Sequence, residues 1–107
     1  HFRAVAIALE SIRDPRAAPS LAALLRKPGM SGHARGDIAT AVKDVPRSDT
    51  DTSQRNLALS ELVLARALYR CGDHAGLGAG ILRQYAGDLH GHYARHAQAV
   101  LAGKPGK

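Results

Sequence analysis

Aromatic side chains are almost missing from this chain, which has one Phe, three Tyr and no Trp in 107 residues. A core without them must be filled by small and γ-branched aliphatics, and twenty Ala and thirteen Leu supply that filling. Such a core favours closely approaching helices over sheets. β-branched residues are scarce as well (four Ile, five Val, three Thr), which removes an all-β architecture. The single Cys71 has no partner for an internal disulfide, so cysteine usage leaves the redox compartment open. No apolar run approaches the roughly eighteen residues needed to cross a bilayer, and no secretory leader is expected. Carboxylates are few too, nine against fifteen Lys and Arg, for a net charge of +6. The expectation is a soluble, all-α single domain, with the cytoplasm slightly favoured. A chain this long buries roughly 60–70% of its extended surface, enough for one modest core. His1 leads straight into an apolar period with no room for a cap, as expected of a piece of a longer protein.

Phe2, Val5, Ala6, Leu9 and Ile12 recur at helical spacing and predict an apolar stripe on a helix over 2–13. Asp14-Pro15 ends it and opens a second helix over 15–26, with Asp14 as N-cap and Pro15 at the first helical position. Leu21, Leu24 and Leu25 belong inside, and Pro19 should remove one backbone bond. Lys27-Pro28-Gly29 stops this helix. Residues 28–53 read as an insertion, Gly- and Pro-bearing and then polar, with room for a short helix over 37–43. The strongest helical pattern covers 54–71, opened by a capping box of Asp51 and Gln54. It is so apolar that only Ser60, Glu61, Arg66 and Arg70 are expected in solvent. Gly72 supplies the left-handed stop, Asp73 caps a helix over 74–86, and a last helix over 92–101 precedes the basic tail 103–107.

Shifting the chain by 59 positions places Ala6 on Ala65, Ala8 on Ala67, Leu9 on Leu68 and Asp14 on Asp73. Both stretches read as apolar helix, tight corner with Asp, apolar helix. Without about twenty inserted residues the period falls near forty, as in helical solenoids. Two antiparallel helix pairs, 2–13 with 15–26 and 54–71 with 74–86, follow from this. Ala8-Leu9 before Asp14-Pro15-Arg16-Ala17-Ala18-Pro19, then Leu21 and Leu24-Leu25, resembles the HEAT-like repeats of phycobilin-lyase-related proteins. The second copy, Ala67-Leu68 before Gly72-Asp73, departs from it because Asp-Pro-Arg has become Asp73-His74-Ala75. This resemblance covers roughly 2–27 and 57–86 and implies an α-solenoid fragment while saying little of function. Residues 67–73 and 91–97 also resemble the carboxy-terminal part of bacterial multidomain FAD-dependent oxidoreductases. That second likeness carries no flavin motif, because no Gly-x-Gly-x-x-Gly follows a strand.

Chemistry-bearing clusters are few. His92 and His96 share a helical face at i and i+4, and His90 is the third ligand a metal would need. No Glu accompanies them as in a His-Glu-x-x-His site, so surface histidines are the expectation and no metal or other cofactor is called for. Gly76, Gly78 and Gly80 lack the Lys-Ser/Thr of a phosphate loop and fit close helix packing instead. Cys71 with His74 lacks an orienting acid and an oxyanion pocket, so a buried structural thiol is expected. Arg66 and Arg70, one turn apart, form the partner-binding candidate, able to grip carboxylates on an acidic protein. Nucleic acid is disfavoured because aromatics for base stacking are nearly absent. The expected function is a non-catalytic accessory domain that docks within its parent chain or on another protein. A flavoprotein's accessory domain and a basic polyanion-binding module are the alternatives.

Overall fold

Ala- and Leu-rich helical spacing folds as helix throughout the computed structural model, which describes residues 2–34, 53–89 and 91–103. Among the described residues there are five α-helices and no strand. They are α1 (Phe2–Ile12), α2 (Ala18–Leu25), α3 (Ser53–Arg70), α4 (Leu77–Ala86) and α5 (Gly91–Leu101), with a 3-10 turn at Pro15–Ala17. None of these helices is long and apolar enough to cross a membrane. The helix expected over 37–43, Asp51 of the capping box and residues 104–107 lie outside the described residues.

Both corners begin with a left-handed residue that stops the preceding helix, and they differ beyond it. Arg13 stops α1 in the left-handed region (φ 53°), its N–H donating to the Leu9 carbonyl at 3.1 Å. A glycine is the usual residue there, because a side chain at positive φ costs about 1 kcal/mol. Gly72 takes the same place after α3 at φ 106°. There Asp73 N–H donates to Leu68 O at 2.7 Å and Gly72 N–H to Tyr69 O at 3.2 Å, the paired bonds of a Schellman stop. Asp14 accepts the Arg16 N–H at 2.9 Å and so caps the 3-10 turn. The helix expected over 15–26 is thus two elements, and Pro19 falls in the first turn of α2. Its missing N–H removes nothing at that position, contrary to the expected lost bond.

Asp73 serves the second corner differently. It lies at φ 64°, with Ala75 (φ 52°) and Gly76 (φ 74°) also left-handed, so α4 begins at Leu77 rather than at 74. Its carboxylate spans this wider turn, accepting from His74 N at 2.7 Å, Gly78 N at 2.7 Å and Ala79 N at 3.0 Å. The cap therefore reaches the first turn of α4 from outside it.

α3 is the centre of the packing. It buries Ala58, Leu62, Leu64, Ala65, Ala67, Leu68 and Tyr69, and α1, α2, α4 and α5 all lie against it. α4 and α5 also pack extensively on each other through Ile81, Leu82, Tyr85, Tyr93 and Ala97. The pairing of α3 with α4 is present. α1 and α2 do not form the expected packed pair, because each uses its contact face on α3. The α1 stripe is also turned from its expected direction: Ala6 is buried and Leu9 partly so, while Val5 and Ile12 face solvent.

Gly78 and Gly80 separate close packing from tolerance. A Cβ on Gly78 would lie 2.9 Å from Asp73 Oδ1 and 3.1 Å from both Ala65 O and Tyr69 N, whereas Gly80 has nothing within 4 Å. Gly78→Ala is expected to destabilise by about 1–3 kcal/mol through overpacking against α3. Gly80→Ala should stabilise by about 0.5–1 kcal/mol through helix propensity alone. Chemical denaturation of the two variants measures both signs.

Candidate functional site

Two polar junctions radiate from α3. The first is centred on Glu61, which follows Ala58 by three residues and precedes Ala65 by four, and so lies on an apolar face of the helix. It is 0% exposed, where the charge pattern had placed it in solvent. Its Oε1 accepts the Tyr85 hydroxyl at 2.6 Å and the His33 N–H at 2.9 Å, and Oε2 accepts the Gly32 N–H at 2.8 Å. A carboxylate out of water needs such donors, since an unpaired one is driven back out or neutralised. The same carboxylate thereby fastens the loop after α2 and the side of α4 to α3. Burial, then the Glu61 contact, pushes the Tyr85 hydroxyl far above its ordinary pKa and keeps it a donor. Edge-on contact with Tyr93 at 6.0 Å fixes the Tyr85 ring. In the fastened loop the His33 ring donates from Nε2 to Gly29 O at 2.7 Å.

The second junction joins α1, α3 and α5. Glu10 is the one carboxylate of α1, four residues after the buried Ala6 and on the same face. Its Oε2 accepts Arg66 Nε at 2.7 Å, and its Oε1 lies 3.4 Å from Arg70 Nη1. Arg66 Nη1 donates to His96 Nε2 at 3.2 Å, so His96 carries its proton on Nδ1 and is neutral. Only 18% of the Arg66 side chain and 13% of Glu10 is exposed, so the open strip expected at Arg66 is largely closed by α1. Arg70 keeps 34% of its side chain in solvent. Glu10 of α1 therefore supplies the carboxylate for both guanidinium groups.

The remaining candidates are placed as follows. His96 is committed to Arg66, whereas His92 is exposed and tilts against Tyr93 at 4.2 Å, so the two rings meet different neighbours. His90 lies outside the described residues. No group of three His, Cys, Asp or Glu side chains fit to hold a metal occurs among the described residues. Cys71 is buried with its thiol against Leu9 O at 3.5 Å. Burial first, and then the charges of Glu10 and Asp14, push its pKa up and hold it as thiol rather than thiolate. Of the three glycines expected in close packing, Gly78 lies inside the α3–α4 contact, whereas a Cβ on Gly76, left-handed at the turn before α4, or on Gly80 would have nothing within 4 Å.

Sequence reasoning missed Glu61 and Glu10 as structural residues. Each has an alanine on its own face at helical spacing, Ala58 and Ala65 for Glu61 and Ala6 for Glu10, and that spacing was the available signal. No protein-family model matches this chain, and neither a curated protein nor a solved structure does.

Two outcomes test these junctions. Glu61→Ala removes the carboxylate that accepts from Gly32 N, His33 N and the Tyr85 hydroxyl, leaving the latter its longer bond to Ala58 O at 3.3 Å, and should cost about 3 kcal/mol in urea unfolding. Glu61→Gln, with one acceptor oxygen in place of two, should fall between. His96 titrates below its ordinary value of 6.5, through burial first and then Arg66 and Arg70. The unfolded chain therefore takes up the proton more readily, and stability should drop as pH falls from 6.5 towards the folded value. Melting temperature followed between neutral and mildly acid pH should show that drop, and His96→Gln should flatten it.

Proposed function

We propose that this chain is a non-catalytic, HEAT-like helical accessory domain that works by packing on protein, in its own parent chain or in another. The observation that carries the reading is the state of α1. This helix carries large apolar side chains beyond the face that meets α3, and such side chains are ordinarily covered. Here it meets α3 through the face of Ala6, Leu9 and Glu10 and leaves Val5, Ile7 and Ile12 exposed. The strongest polar side chains support the same reading, because Glu10, Glu61, Arg66 and Asp73 are spent on holding elements together. Among the described residues no buried side-chain polar atom lacks a partner. What supports the HEAT-like part of the reading is the left-handed stop followed by a capping Asp at both Arg13-Asp14 and Gly72-Asp73.

Site-specific photo-crosslinking in cells tests this. A photoreactive residue at position 8, on the exposed side of α1, should give a discrete protein adduct. The same residue at position 99, exposed on α5, should give none. Equal labelling from both positions, or adducts to nucleic acid only, would count against protein docking.

A further inference from the structure

We infer that protonation of His96 frees α5 from α3 while leaving it seated on α4, so that the Arg66–His96 contact is an acid-sensitive catch. The catch is independent of the docking reading above. It stands first on hydrogen-bond geometry. A guanidinium has only N–H donors, so Arg66 Nη1, 3.2 Å from His96 Nε2, requires a bare nitrogen there. A proton taken up from water onto Nε2 leaves two donors facing each other and sets a cation against a cation.

The surrounding charges decide which helix moves. From α3, Arg66 and Arg70 both act on the imidazole, and both repel its charged form. From α1, Glu10 attracts that form, so the change does not push α1 away. The other charges of α1, Arg3 and Arg13, are exposed on either side of Glu10 in the chain. α4 turns Tyr85 to Glu61 and keeps Arg83 in solvent, and on α5 itself His92 and Arg95 are exposed. Glu10 already serves Arg66 at 2.7 Å and Arg70 at 3.4 Å, so one carboxylate would have to answer three cations. The repulsion therefore falls on the seam between α5 and α3.

That seam is the weaker of the two that hold α5. Besides His96, the Tyr69 hydroxyl donates across it to Gly103 O at 2.9 Å. Against α4 the packing is far broader: Tyr93 meets Tyr85 edge-on, and Gln98 Nε2 donates to Ala86 O at 3.2 Å. α5 thus tilts on α4 as it leaves α3, and Tyr69, 7% exposed while the seam is closed, comes into solvent. Burial of His96 works in the same direction, because it too favours the neutral ring in the closed form. The open form takes up the proton more readily, so the closed seam is favoured at neutral pH and loses ground as pH falls below 6.5.

Hydrogen exchange of the whole chain, read by mass spectrometry at about pH 7 and about pH 5 and corrected for the chemical rate at each, tests the catch. At the lower pH, amides 97–103 should lose about tenfold or more in protection, while those of α1 and α4 stay within about twofold. His96→Gln, whose amide oxygen accepts from Arg66 at either pH, should keep α5 protected throughout. Arg70→Gln removes one of the two repelling charges and should shrink the loss to about half or less. Protection lost equally from every helix, lost from α1 rather than α5, or lost from none overturns the inference. So does a His96→Gln chain that is closed at neutral pH and still opens on acidification. Should His96→Gln be open already at neutral pH, Arg70→Gln decides, and a loss undiminished there overturns the inference.

Discussion

A single helix enclosed on several sides sets the terms for the rest of this molecule. α3 lies against every other described α-helix, so little of its length can face water. Small residues, Ala58, Ala65 and Ala67, let neighbours approach, and Leu62, Leu64 and Leu68 fill the space between them. The consequence falls on its polar residues. Any charge on such a helix must be answered by a specific partner, since the interior offers no water to do so. Glu61 is answered by two backbone N–H groups and a phenol, and Arg66 by Glu10 and His96.

Those two answers act on different parts of the fold. Glu61 fixes a loop and α4, and its donors are dipoles rather than a counter-ion, so the junction is local and insensitive to salt. The Glu10–Arg66–Arg70–His96 junction holds α1 and α5 on α3 through charge. Burial first, and then two guanidinium groups against one carboxylate, make His96 resist a further proton. Among the described residues of α1, Ala6 is buried and Leu9 partly so, and Glu10 adds the charged contact to that packing.

How far the residues alone reach differs from element to element. The glycine stop at 72, the cap at Asp14 and the packing of α3 with α4 follow from local chemistry, because a left-handed residue and a side-chain acceptor suit only a helix end. Asp73 was legible as a cap, whereas its reach across a widened turn to Gly78 and Ala79 was not. Three of the four residues from 73 to 76 are left-handed, two of them not glycine, and the Asp73 carboxylate spans the turn they make.

The amino-acid sequence by itself determined the helical class, the corners and the apolar character of α1 and α3, because period and capping are properties of neighbours in the chain. The direction in which α1 turns its stripe was decided only in the folded molecule. Its Val5–Ile12 ridge and its Glu10 face compete for α3, and the presence of Arg66 and Arg70 opposite Glu10 draws the charged face inward. The same holds for Glu61, whose burial depends on N–H groups supplied from a loop twenty-eight and twenty-nine residues away. Such partners are neighbours in space alone, and no periodicity in the chain records them.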